Sequence, residues 1–244
     1  MSDVQAMAST PVLNVLCAGA VQGLLDALRE HFERDRSVVL HATFGAVGAM
    51  RDALRGGTPC DVLIVSAAMV DSLLASGEVR SGSAVPLGRV ETALAVAQGA
   101  TVPNVASAEA LKAALLRSSA LYFPDAELST AGAHVASMLD RLGIRAALAP
   151  RLRMFANGRT AMRALAEDGD ANALGCTQSS EIVATPGIAL VGALPRPFAL
   201  ATVYSAAVAT VATNDDLARR FIALLGDSES LALRRAAGFD DVVA

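Results

Sequence analysis

The chain reads as an α/β protein of two lobes with a ligand cleft between them. Three observations lead there. Apolar runs of strand character alternate with stretches of helical periodicity from end to end. Two long extended runs, at 91–97 and 199–209, suit strands that carry the chain into and out of a second lobe. Three turns of small residues, Cys17-Ala18-Gly19-Ala20, Gly45-Ala46-Val47-Gly48 and Ser129-Thr130-Ala131-Gly132, each follow a strand-like run and open a helix. Helix N-termini carry unpaired N–H donors and partial positive charge, so such turns, if they converge, hold a small anion with few charged side chains.

The first strand is expected at 12–16. Leu24, Leu25, Leu28 and Phe32 then give the 3.6-residue stripe of a helix. A strand at 38–44 and a helix at 48–55 follow, ended by Gly56-Gly57-Thr58-Pro59. Residues 61–65 form a short apolar strand of the kind parallel sheets bury, and 67–75 a helix stopped by Gly77. The order βαβαβα predicts a parallel sheet with right-handed crossovers. A second unit of the same kind has a helix at 108–117, a strand at 120–123 and a helix at 131–142. It continues with a strand at 152–156, a helix at 160–167 and a strand at 173–177. Helices at 215–225, capped by Asn214 or Asp215, and at 229–237 close the chain. The lobes are expected as 1–90 plus 204–244, and 91–203.

Composition narrows the function. Of 244 residues, 53% are hydrophobic and 18% charged, enough to bury a substantial core. Mean hydropathy is +0.46, but no run nears the roughly 20 uncharged apolar residues of a membrane helix, so no membrane insertion is expected. A net charge of −4, the absence of Trp and only two Tyr argue against a nucleic-acid partner. Cys17, Cys60 and Cys176 are widely spaced without a CxxC, so no zinc site is expected. Gly45 to Gly48 lacks both GxGxxG and the Lys-Ser/Thr of a P-loop. No metal or other cofactor is expected. The first 11 residues are polar, contain Asp3 and lack the basic and apolar regions of a secretory signal, which points to the cytoplasm. Ala6-Met7-Ala8 does resemble the end of a cleavage site, and a clipped start would return the protein to the periplasm.

The candidate ligand-binding residues are Gly19, Ala20, Ala46, Val47, Thr130 and Ala131 at the three turns, with Arg159, Thr160 and Gln178. Arg159, in Asn157-Gly158-Arg159-Thr160, sits where a strand turns into a helix and could clamp a carboxylate; otherwise it is a solvated first-turn Arg. Arg51, one turn into its helix, is weighed against solvent in the same way. Asp125, His41 and His134 are the candidate acid/base groups. Against each stands a plainer role: an Asx turn for Asp125, a core or edge position for His41, an ordinary helix position for His134. Cys17 beside an anion turn would have a lowered pKa, whereas simple burial would make it a small apolar residue.

These features together resemble the type 2 periplasmic binding protein fold, and within it the molybdate-binding branch of ABC transporter solute-binding proteins. The similar segments run from about Leu13 to Gly238. They include Gly57-Thr58-Pro59-Cys60-Asp61-Val62 (Gly-Ala-Pro-Ala-Asp-Val in the family), Gly77-Glu78-Val79, Gly169-Asp170-Ala171 and Pro186-Gly187-Ile188. The resemblance implies serine hydroxyls at the first two turns and a tyrosine hydroxyl later. This chain has Ala20, Val47 and Gln178 there. Each lost donor costs about 1–3 kcal/mol, about 3–9 kcal/mol for all three. A di- or tricarboxylate is therefore expected rather than molybdate. The same branch holds proteins resembling aconitate isomerase, which shift a double bond in an unsaturated tricarboxylate. Two readings stay open: a receptor for a small organic anion, with an ABC permease as partner if exported, or a cofactor-independent isomerase.

Overall fold

The computed structural model describes residues 10–241. The notable N-terminal triplet Ala6-Met7-Ala8 lies outside the described residues. Strand β1 (Val12–Ala18) runs through a single 3-10 turn (Gly19–Val21) into α1 (Gln22–Arg36). The α1 stripe buries Leu24, Leu25, Leu28 and Phe32, and Phe32 packs on Phe221 with ring centroids 4.8 Å apart. β2 (Val39–Gly45), α2 (Val47–Arg55), β3 (Val62–Ser66) and α3 (Ala67–Ala75) repeat the strand–helix step. All five β3 residues are buried, as a strand covered on both faces requires.

β4 (Val85–Ala97) is the longest strand and serves two sheets. Its first half, Val85 to Glu91, pairs antiparallel with β9 (Ala201–Val208). Its second half, Thr92 to Ala97, pairs with β7 (Leu174–Gln178) on one side and β8 (Ile188–Ala193) on the other. Between these come α4 (Ala108–Arg117), β5 (Leu121–Pro124), α5 (Thr130–Arg141), α6 (Arg145–Leu148), β6 (Leu152–Phe155) and α7 (Gly158–Asp168). α8 (Ser179–Val183) follows β7, and α9 (Asp215–Gly226) and α10 (Leu231–Ala236) end the fold.

The strand order is β2-β1-β3-β9-β4-β7-β5-β6, with β8 beside β4. The parallel pairing expected of the βαβαβα unit is present, and the two long strands add antiparallel pairs to it. β1 pairs parallel with β2 and β3, but β9 inserts antiparallel between β3 and β4. The apolar side chains form separate cores on the two sides of the β4 midpoint. One contains Leu13, Ile64, Val90 and Phe221; another contains Leu94, Leu121, Met138 and Phe198; a third packs Ala95, Met162 and Ile182 under α7 and α8.

Asp61 fastens the first lobe. It is buried, and its carboxylate accepts from the Asn14 and Thr213 N–H groups at 2.8 Å each, and from their side chains. Burial pushes its pKa upward, but the four hydrogen bonds outweigh this and leave it below the usual carboxylate range. Among the described residues no helix is long and apolar enough to cross a membrane.

Candidate functional site

Four helix N-termini meet in one cavity between the lobes. Its wall takes Ala18, Gly19 and Ala20 from the turn leading into α1, and Gly45, Ala46 and Val47 from the start of α2. The other lobe supplies Ser129 and Thr130 at α5, and Asn157 and Gly158 at α7. Ser129 and Asn157 cap their own helices, accepting from Gly132 N–H at 3.3 Å and Thr160 N–H at 2.9 Å. Ala18 and Ala46 have no side chain that could cap, so the N–H groups of these first-lobe starts, Gly48 apart, are not spent on a side-chain cap. The cavity as it stands is about 10 Å³, room for little more than one water molecule. Across its mouth, Gly48 N–H donates to the Leu128 carbonyl at 2.8 Å, a backbone bond joining the lobes in a closed arrangement.

Three side chains complete the wall: Gln178, Glu181 and Tyr204. Gln178, 2% exposed at the end of β7, donates from Nε2 to Thr202 Oγ1 at 3.2 Å and leaves Oε1 unpartnered among the described residues. Tyr204 is buried on β9, and that burial, reinforced by Glu181, keeps its phenol protonated well above the usual range. Glu181 lies on α8, 6% exposed, and Thr177 Oγ1 donates to its Oε2 at 2.5 Å. Burial pushes its carboxyl up, against the Thr177 hydroxyl and the N–H groups of Arg159 and Gln178, which favour the charged form. Gly158 is glycine because a Cβ there would run into Glu181 Oε2 and Thr177 Oγ1.

A sequence profile described as bacterial extracellular solute-binding protein matches residues 13–240. The chain belongs to that family. It is 28% identical over 252 residues to an aconitate isomerase from a Pseudomonas species, covering 100% of this chain and 94% of the relative. The periplasmic molybdate-binding protein of Azotobacter vinelandii superposes with a TM-score of 0.76 at 18% identity, over 95% of this chain and 99% of that one. The sulfate-binding protein of Mycobacterium tuberculosis H37Rv gives 0.74 at 18% identity, over 95% and 87%. The last two establish the shared two-lobed fold.

Measured against this solute-binding architecture, the residues singled out in sequence divide into two groups. Gly19, Ala20, Ala46, Val47, Thr130 and Gln178 line the cavity. Ala131 is buried one residue beyond it, and Thr160 is spent on the Asn157 cap through both its N–H and its hydroxyl. The Arg159 guanidinium turns away from the cavity, reaching Asp26 of α1 at 4.0 Å with 31% of its side chain exposed; its N–H bonds Glu181, and its charge acts on that carboxyl only weakly and without an ion pair. Arg51 pairs with its neighbour Asp52 at 2.8 Å.

The candidate acid/base groups lie off the cavity. His41 is exposed on β2, opposite Asn14 in the edge pairing, because strand alternation turns it to solvent. The His134 ring nitrogen Nε2 is 2.7 Å from the Phe198 carbonyl and is spent on that contact. Asp125 Oδ1 accepts from the Glu127 and Leu128 N–H groups at 2.8 Å each, the Asx turn that was its plainer reading. Cys17 is fully buried, and desolvation pushes its thiol up rather than down. Cys60 and Cys176 are likewise buried free thiols, pushed up to about 12.

Sequence reasoning missed Glu181 and Tyr204. The available signal for Glu181 was a lone acid directly after the strand carrying Gln178, in Thr177-Gln178-Ser179-Ser180-Glu181.

Proposed function

We propose that this solute-binding protein holds a small organic anion, a di- or tricarboxylate, in the cleft between its lobes. The lobes are taken as 1–90 with 204–244, and 91–203, so that closure turns on β4 and β9. One observation carries the reading: four helix N-termini share one cavity whose wall, among the described residues, contains no cationic side chain. Carboxylates can divide themselves among separate N-termini, whereas a compact tetrahedral oxyanion needs its donors around one centre. Ala20 and Val47 bring no hydroxyl to such a centre, although Tyr204 adds one that sequence did not anticipate. The closed cavity, about 10 Å³, has room for little more than one water molecule, so entry of a polycarboxylate requires the lobes to part. A thermal-shift panel of cis- and trans-aconitate, citrate, malonate, sulfate and molybdate tests this. Stabilisation by the polycarboxylates is expected, and a shift with molybdate alone overturns the reading.

A second reading, a cofactor-independent isomerase, is favoured by the full-length similarity to an aconitate isomerase and by a titratable carboxyl in the cavity wall. In an allylic shift, a base takes a methylene proton and the C–H electron pair delocalises into the neighbouring conjugated carboxylate. The proton then returns to the far carbon, and the double bond has moved. With His41, His134 and Asp125 lying off the cavity, Glu181 is the group suited to that base. NMR of trans-aconitate in D2O with EDTA-treated protein decides it: deuterium entry and conversion support catalysis, and tight binding without exchange supports a receptor. A receptor role goes with export and an ABC permease partner, an isomerase role with the cytoplasm, and cell fractionation separates them.

A further inference from the structure

The anion cavity contains a carboxyl of its own, and it touches both lobes. Glu181 Oε2 is held by Thr177 Oγ1 in the second lobe. Oε1 lies 2.7 Å from where a Cβ on Gly19 of the first lobe would stand. Among the described residues no ion pair reaches Glu181. The groups facing it can be named element by element. From α7 comes Arg159, whose guanidinium is turned to Asp26 of α1. From β9 comes the buried phenol of Tyr204; β7 and β1 bring the buried thiols Cys176 and Cys17. β8 carries no titratable side chain, and of the β4 charges Arg89 is drawn to Asp240 while Glu91 faces a groove on the far side of α8.

An anion entering this cavity therefore meets a carboxylate that has hydrogen-bond donors but no ion-pair partner, in a water-poor site. Two like charges held in contact cannot both persist there. We propose that the cleft takes up its anion together with one proton, which resides on Glu181 Oε1 and is donated as a hydrogen bond to an oxygen of the ligand. The proposal rests on the first reading, the cleft as a receptor's anion site; a Glu181 acting as the base of an isomerase would be unprotonated with the ligand bound. The Thr177 hydroxyl decides which oxygen carries the proton, because it already occupies Oε2. Burial of the carboxyl works in the same direction, favouring its neutral form. Independently, the unpartnered Gln178 Oε1 in the same wall marks a cavity shaped for an occupant that brings a hydrogen-bond donor. The ligand class that follows is an anion with a carboxylate oxygen for Glu181 and a hydroxyl or carboxylic O–H for Gln178.

Sulfate and trans-aconitate are the probes, sulfate because its own charge is constant across the range. Calorimetry at one pH in two buffers of different ionisation heat counts protons taken up per anion. Uptake approaching one is expected. Affinity should weaken by up to roughly tenfold per pH unit once pH exceeds the Glu181 pKa, and Glu181→Gln should bind with a flat profile. No uptake with a flat wild-type profile overturns the proposal, as does a Glu181→Gln variant that keeps the slope. If neither probe binds, the anion-site reading fails, and infrared difference spectra of the free proteins still decide the proton. A protonated-carboxyl band that grows in as pH is lowered through a range above the ordinary carboxylate one, and that Glu181→Gln removes, supports Glu181 as the carrier; its absence across that range overturns it.

Discussion

Thr177 and Glu181 stand four residues apart across the junction of β7 and α8, joined by a hydroxyl-to-carboxyl hydrogen bond of 2.5 Å. The strand end fixes the hydroxyl and the short helix fixes the acid, so the pair is built by local chain geometry. Its surroundings are not local. Gly19 and Gly158, from opposite lobes, close on the carboxyl and exclude water.

A titration signature follows from that burial. An acid whose folded pKa is raised holds its proton where the unfolded chain has lost it, so stability falls as pH rises through that window. The window opens near the ordinary Glu value of about 4.3 and closes at the raised folded value, with a slope of up to about 1.4 kcal/mol per pH unit. Urea unfolding of wild type and Glu181→Gln across this range should give curves that converge at low pH and separate above it, the variant being the more stable. Parallel curves would remove Glu181 from the account.

Thr177→Val removes a donor that favours the charged form. Glu181 should then titrate higher still, and the stability window should extend upward. The lost buried bond should cost about 1–2 kcal/mol in urea unfolding. Thr177→Ser, which keeps the hydroxyl, should restore the wild-type pH profile.

Gly48→Ala addresses closure. A Cβ there would come within 3.0 Å of the Leu128 carbonyl and 3.2 Å of its side chain, so the two segments would have to move apart by a few tenths of an ångström. Anion affinity should fall by about tenfold, equivalent to about 1.4 kcal/mol, while ligand-free Tm stays within about a degree of wild type. Calorimetry and scanning fluorimetry read the two quantities.

Asp61→Ala should be the most damaging change outside the cleft. It strips a buried charged acceptor from the Asn14 and Thr213 N–H groups, and a loss of about 3 kcal/mol is expected. Because the Asp61 pKa is lowered, its contribution is complete above the ordinary Asp range and disappears as pH falls through the lower folded value. Acid unfolding monitored by circular dichroism should therefore show a shallower loss in the variant.

Much of this architecture was legible in residues. The helix at Ala67–Ala75 matches its expected bounds, and the 3.6-residue stripe of α1 buries the four residues named for it. The anion turns were readable because small residues between an apolar strand and a periodic helix bring backbone N–H groups to the surface of the cavity, two of the three without a side-chain cap. Glu181 was not, because α8 is only five residues long and too short to show periodicity. Its burial depends on Gly19 and Gly158, distant in sequence, and no local pattern encodes that approach. Arg159 misled for the converse reason. Its position at a helix start was right, but the guanidinium leans to Asp26 across the cleft, a tertiary choice. β9 likewise looked like a crossing strand, and only packing decides that it inserts antiparallel between β3 and β4.

The central claim is that a small organic anion sits against Gly158, Glu181 and the uncapped helix starts. Calorimetric titration of trans-aconitate into wild type and Gly158→Ala, each checked for folding by circular dichroism, tests it most directly. The account predicts saturable binding at one site in the wild type, lost in the folded variant. Equal binding by both proteins, or wild-type binding of molybdate without any of trans-aconitate, would contradict it.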